Sequence, residues 1–215
     1  MQMPDSNKKS TSKEGMLVII SGPSGSGKGT VVKGLCKDAG FALSISATTR
    51  IPRAGEVHGR DYFFATEDEF NKMRQENQLL EHALFVGNFY GTPKKFVEEQ
   101  IAKGKNVVLE IEVQGALQVR EKFREAVLVF LLPPTMGELA RRLRARGSED
   151  DVSVEARLRK AAEELPLADS YNYIVTNDSL SQAIDEIKAI VIAERLKPKR
   201  RAAILKAFLE KENLC

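Results

Sequence analysis

The residues best placed for chemistry begin at Gly22. The string GPSGSGKGT comprises Gly22, Pro23, Ser24, Gly25, Ser26, Gly27, Lys28, Gly29 and Thr30. Its Gly-x4-Gly-Lys spacing is that of a phosphate loop, set between an apolar run and a helical one. The glycines let backbone N–H groups turn inward around an anion, the next helix aims its positive end at the same point, and Lys28 reaches the β- and γ-phosphates. Gly29 stands where this motif usually has Ser or Thr, so the hydroxyl that commonly meets Mg²⁺ is missing there. Thr30 is the next candidate, and a Mg²⁺ ion is expected to be held mainly by nucleotide phosphates and water. A second anion site is suggested by Arg50 and Arg53, which flank Pro52, and by Tyr62 and Tyr90. Two planar guanidinium forks and two phenols are the donors that a phosphate monoester needs.

Glu110 and Glu112 lie two apart in NVVLEIE. On a strand they share one face near its C-terminal end, where open α/β sheets bind ligands. His58 and His82 have no partner at metal or triad spacing, so packing or surface roles are expected. Cys36 and Cys215 are the only cysteines and are expected to be free thiols.

These groups need a frame. The runs 16–22, 106–112, 126–132 and, more weakly, 171–177 are predominantly apolar, as strands buried on both faces are. Helical patterns occupy 29–38, 67–77, 94–103, 115–123, 135–145, 153–168 and 180–196. Alternation of this kind predicts a doubly wound α/β parallel sheet with right-handed crossovers. The short β-like pieces from Ser44 to Phe89 predict an inserted α+β subdomain, and the polar helical stretch 139–169 predicts a mobile lid.

With 215 residues, 42% hydrophobic and 29% charged, the chain is long enough for a substantial core, which excludes a disordered or disulfide-stapled class. No run nears the roughly 20 apolar residues of a membrane span. The polar start, residues 1–15, is expected to be a flexible leader without a secretory core, and a cytoplasmic location follows. The net charge is +3, yet residues 195–215 hold seven basic against two acidic side chains, so the rest is slightly acidic. A nucleic-acid partner is therefore not expected. Ala203, Ile204, Ala207 and Phe208 recur at helical spacing and predict a basic amphipathic helix over 197–215, docked on the body or on a second subunit.

The order GPSGSGKGT, SATTRIPRAGEVHGRDYFF, LLEHALFVGNFYGTP, LEIEVQG, RRLRARGSEDD and IVTND resembles the guanylate kinase family from 16 to 196. The resemblance implies ATP-dependent, Mg²⁺-requiring phosphorylation of GMP to GDP, hence a role in purine nucleotide metabolism. It implies a P-loop core (16–47, 106–138, 170–196), a GMP-binding subdomain (48–105) and a lid (139–169). Ser46, Glu81 and Thr92 would then recognise guanine, and Arg50, Arg53, Tyr62 and Tyr90 the GMP phosphate. A carboxylate can accept from guanine N1–H and N2–H₂, whereas adenine turns a bare N1 acceptor towards it. Glu110 is expected at metal-bound water and Glu112 at the nucleoside, although many relatives have Asp at both places. Arg142, Arg146 and Arg157 fall where similar kinases place lid arginines. Arg146 and Arg157 are expected to stabilise the transferring group, with adenine stacking as the alternative for Arg146. Asn177 and Asp178 resemble the adenine-side loop. The expected partners are ATP and GMP, without membrane or nucleic acid, in a monomer or homodimer. The competing readings are a phosphopeptide-binding module descended from the kinase, against which the intact loop counts, and a kinase for another nucleoside monophosphate, against which Ser46 and Glu81 count.

Overall fold

The computed structural model describes residues 15–85, 87–145 and 151–212. The first strand, β1 (Leu17–Ser21), is wholly buried and runs through the phosphate loop into α1 (Lys28–Leu35). Then come β2 (Phe41–Leu43), β3 (Ala47–Thr48), β4 (Phe63–Phe64), α2 (Glu67–Gln75), β5 (Leu79–Phe85), β6 (Asn88–Pro93), α3 (Lys94–Ala102), β7 (Asn106–Glu110) and α4 (Val113–Lys122). The chain continues through β8 (Val127–Leu132), α5 (Met136–Ala145), α6 (Asp151–Glu164), a 3-10 turn over Leu165–Ser170, β9 (Tyr173–Thr176), α7 (Leu180–Leu196) and α8 (Ala202–Glu212).

Five strands form a parallel sheet in the order β2-β7-β1-β8-β9. Along β1 the side chains alternate between two cores. Val18 and Ile20 pack with Val31, Leu35, Ile187 and Val191 beneath α1 and α7, while Leu17 and Ile19 pack with Val97, Val113, Ala116 and Val119 beneath α3 and α4. Burial on both faces is the reason the strand reads as one apolar run. Central β1 delivers the phosphate loop to the C-terminal edge of the sheet, the ligand edge of such folds.

The insertion is a second, mixed sheet in the order β4-β3-β6-β5. Phe70 of α2 seals it against Ala47 and Leu79. A capping box starts α2: the Glu69 N–H donates to Thr66 Oγ1 at 3.2 Å, and the Thr66 N–H donates to Glu69 Oε2 at 2.7 Å. Helices α5 and α6 close on a small core of their own, Leu139, Leu143, Val154 and Ala161.

Several expectations are corrected. Gly15, the last residue of the expected leader, is buried and its N–H donates to the Ile101 carbonyl; residues 1–14 lie outside the described residues. Strand β2 was not anticipated, being three residues long at a sheet edge with Leu43 exposed. Strand β7 stops at Glu110, and Glu112 is the N-cap of α4, so the two glutamates do not alternate along one strand. Helix α6 gives way to the 3-10 turn at Leu165, where Pro166 supplies no N–H to continue an α-helix. Residues 201–210 are all exposed, so that stretch of α8 lies undocked on this chain. Among the described residues no helix is long and apolar enough to cross a membrane.

Candidate active site

The donor side is built on the phosphate loop. Gly22 has φ +140°, and a Cβ there would lie 2.3 Å from the Leu131 carbonyl oxygen, so only glycine lets the loop leave β1 beside β8. Gly27 caps α1 with φ +93° and no side-chain hydrogen bond, which leaves the positive end of the helix facing the loop. Lys28 is buried; its Nζ donates to the Gly22 carbonyl at 2.6 Å and lies 3.6 Å from Glu112 Oε1.

Helices α5 and α6 grip this loop from the other side. Arg157 Nη1 donates to Ser24 Oγ at 2.6 Å. Arg142 donates through Nη2 to the Asn177 carbonyl at 2.9 Å and through Nη1 to the Ser26 carbonyl at 3.4 Å, and Asn177 Nδ2 donates to the same Ser26 oxygen at 2.8 Å. Glu138 takes Arg142 Nε at 2.7 Å, and the neighbouring Arg141 and Arg142 guanidinium groups hold its carboxyl down at about 2. Lys160 on α6 reaches Glu112 Oε2 at 3.4 Å, so Glu112 lies between the P-loop lysine and α6. Arg146 lies outside the described residues.

The acceptor side is a row across the smaller sheet. The β3–β6 pairing sets Ala47 against Gly91 and Thr48 against Tyr90, and Ser46, one residue before β3, accepts the Phe63 N–H on its carbonyl at 2.9 Å. On the far strand, β5 pairs Leu79 with Pro93 and His82 with Gly91, so Leu80 and Glu81 together face Thr92 across a bulge. A bulge re-aims side chains. Here it sends Leu80 into the main core while Glu81, also buried, accepts the Thr92 hydroxyl proton at 2.7 Å. Helix α4 fixes β5 in place: the Gln118 side chain exchanges hydrogen bonds with the backbone of His82, both at 3.3 Å, and Gly115 leaves room for the carboxylate, since a Cβ there would sit 3.1 Å from Glu81 Oε2. Burial pushes the Glu81 carboxyl above the ordinary glutamate value, partly offset by the Thr92 hydrogen bond.

Beside this row, the Arg50 guanidinium lies 5.4 Å over the Tyr62 ring, and the Tyr62 and Tyr90 rings meet edge to face at 6.0 Å. Arg50 is itself held by Glu56, through Nη2 to both carboxylate oxygens at 2.8 and 2.9 Å. Arg53 is on the same turn with its side chain exposed and its backbone N–H on Glu56 Oε2 at 2.7 Å. The structure thus joins Glu81 to Thr92 directly and gathers Arg50, Tyr62 and Tyr90 in a second group, with Ser46 one residue before β3. Sequence reasoning missed Glu56, Gly115, Gln118 and Lys160; only Glu56 carried a signal, as a lone acid three residues after Arg53.

No cluster of three or more His, Cys, Asp or Glu able to hold a metal ion exists among the described residues. One carboxylate, Glu110, leans over the first turn of α1, its Oε1 3.3 Å from where a Cβ of Gly29 would be, with Thr30 exposed next to it. That set fits an ion carried by phosphate oxygens and water with little direct protein ligation.

Comparison with known proteins agrees with this geometry. The guanylate kinase family model matches residues 14–194. A guanylate kinase of Bacillus subtilis (strain 168) is 52% identical over 202 residues, covering 93% of this chain and 99% of that protein. One of Caldanaerobacter subterraneus is 50% identical over 192 residues, covering 89% and 93%. The crystal structure of the guanylate kinase from Anaplasma phagocytophilum superposes with a TM-score of 0.69 at 34% identity, covering 87% and 90%. With a phosphate loop on one sheet, a buried carboxylate on the other, and relatives of that identity along nearly its whole length, this chain belongs to the guanylate kinase family.

Proposed function

We propose that the protein transfers the γ-phosphoryl group of ATP to GMP, giving ADP and GDP, and so returns GMP to the guanine nucleotide pool in the cytoplasm. The observation that carries this is the buried Glu81–Thr92 pair, next to an Arg–Tyr–Tyr cluster. Thr92 donates to one carboxylate oxygen and holds the group still; the free lone pairs accept from guanine N1–H and N2–H₂. Ser46 meets the remaining base edge. Arg50, Arg53, Tyr62 and Tyr90 bind the GMP phosphate, and Glu112, at the N-cap of α4, serves the nucleoside side.

In this mechanism a GMP phosphate oxygen attacks the γ-phosphorus as the bond to the ADP oxygen breaks, without a covalent enzyme intermediate. Such a transfer asks the protein for alignment and charge neutralisation. Loop amides at 22–30 and Lys28 cradle the β- and γ-phosphates, which draws Lys28 from the Gly22 carbonyl. Arg157 and Arg142 bring the lid down on the loop, exclude water and offset the charge that develops; Arg146 is assigned to the same step, and Asn177 to the adenine side. Glu110, with Thr30 beside it, would hold a phosphate-borne Mg²⁺ through water, and the ion would supply charge neutralisation to the transfer. The subdomain and lid bounds 48–105 and 139–169 belong to the same proposal.

A coupled ADP-release assay with ATP plus GMP, AMP, CMP or UMP tests it. Strong preference for GMP and near-abolition of turnover in Lys28→Ala are expected. Equal rates with AMP would overturn the base assignment, and binding of phosphopeptides without turnover would overturn the enzyme.

A further inference from the structure

The acceptor-phosphate arginines sit on a turn with little to hold it. Ile51, Pro52, Arg53, Ala54 and Gly55 are all exposed, with Ile51 at 83%. No apolar anchor fixes them, so a guanidinium on such a turn would sample many rotamers, and ordering it would weaken substrate binding. One carboxylate removes that freedom. Glu56 receives Arg50 Nη2 on both oxygens and the Arg53 N–H on Oε2, while Arg50 Nη1 donates to the Ile51 carbonyl at 2.9 Å. The guanidinium plane is therefore set over Tyr62 and Phe64, and the residues that carry both arginines are tied across Pro52.

We propose that Glu56 is a positioning residue of the acceptor-phosphate site: it occupies the Nη2 edge of Arg50 and fixes the turn of Arg53, so that the remaining donors of the fork are presented ready-made to the phosphate of the incoming nucleotide. This rests on GMP being the acceptor. A carboxylate beside a phosphate site costs some repulsion, which the Arg50 guanidinium paired with it offsets. Glu56 touches neither base nor transferring group and acts through Arg50 and Arg53. The pairing holds the Glu56 carboxyl below the usual glutamate range and the Arg50 guanidinium above its ordinary value, so both stay charged wherever the protein is assayed.

The test compares Glu56→Gln and Glu56→Asp with the unaltered protein in steady-state kinetics and in calorimetric titration with GMP alone. Glu56→Gln keeps one acceptor oxygen and turns an NH₂ towards Arg50. Its KM and Kd for GMP should rise by about tenfold or more, with the ATP KM and the kcat at saturating GMP within about threefold, since an unformed subsite weakens binding and not chemistry. Glu56→Asp, which keeps the charge but not the reach, should fall between. In an Arg50→Ala background the Glu56→Gln penalty should shrink, as it must when two residues act as a unit. A GMP KM unchanged or lowered by Glu56→Gln, or an equal penalty in both backgrounds, would overturn the proposal. Should the unaltered protein neither bind nor phosphorylate GMP, the assignment of the acceptor fails first, independently of any Glu56 variant.

Discussion

Glu81 is where recognition and stability pull against each other. Its carboxylate is buried, has Thr92 as its hydroxyl donor, and resists ionisation because burial disfavours charge. The folded, ligand-free protein therefore holds the Glu81 proton to higher pH than the unfolded chain. Between the ordinary glutamate value and the raised one, the folded state binds more protons, and its stability falls as pH rises. Guanine asks for the opposite protonation state, since only the carboxylate accepts from both N1–H and N2–H₂. GMP affinity should consequently improve as pH rises through the same window, and a pH series of the GMP KM reads this directly. Glu81→Gln should flatten that series. The variant should also melt higher, by ~2–4 °C for each kcal/mol recovered in a chain of this size, while its kcat/KM for GMP falls about a hundredfold through the unmet guanine donors. A variant that melts lower and keeps its GMP preference would place Glu81 in the structure and not in recognition.

At the scale of elements, lid and loop meet through few side chains. Arg157 joins α6 to Ser24, and Lys160 joins it to Glu112, which also faces Lys28. Arg157→Ala should lower kcat by about a hundredfold or more, the usual cost of losing a donor aimed at developing charge, with the GMP KM little changed. Ser24→Ala removes the same hydrogen bond from the other end and should stay within about threefold, because Ser24 supplies no charge; single-turnover rates on both variants separate the roles. Equal losses would reduce Arg157 to a latch on the loop. Elements were legible in the sequence where burial imposed a period. The two-faced strands β1, β7 and β8 announced themselves as apolar runs, and α2 as the helical pattern over 67–77. The bulge at Leu80–Glu81 was not legible, because two adjacent buried residues of opposite polarity break any period of two. Glu112 was misplaced for a related reason: Glu110, Ile111 and Glu112 alternate like a strand, yet the chain leaves the sheet after Glu110 to start α4.

At the scale of the whole molecule, the two anion sites of the proposed mechanism come from two separate sheets, one parallel and one mixed. The phosphate loop was legible outright, since its spacing is local. Ser46, Glu81 and Thr92 are spread over 47 positions, and Glu81 meets Thr92 only through strand pairing, so they were reached by family resemblance and not by pattern. Neither sheet involves the end of the chain. The 3-10 turn at Pro198–Arg201 is fastened to the body by a Lys199–Glu125 ion pair and by Arg200, whose Nη2 donates to the Glu125 carbonyl at 2.6 Å. Beyond it, Ile204, Leu205, Phe208 and Leu209 are between 48% and 63% exposed, so α8 buries little apolar surface against its own chain. Hydrophobic stabilisation scales with apolar area removed from water. Truncation after Arg201 should therefore leave the Tm of the dilute protein within about 2 °C, a shift corresponding to less than ~1 kcal/mol, with kcat and the GMP and ATP KM values unchanged. A larger loss that grows as the protein is concentrated would show that α8 is buried between copies, and one independent of concentration would show that it packs on its own body.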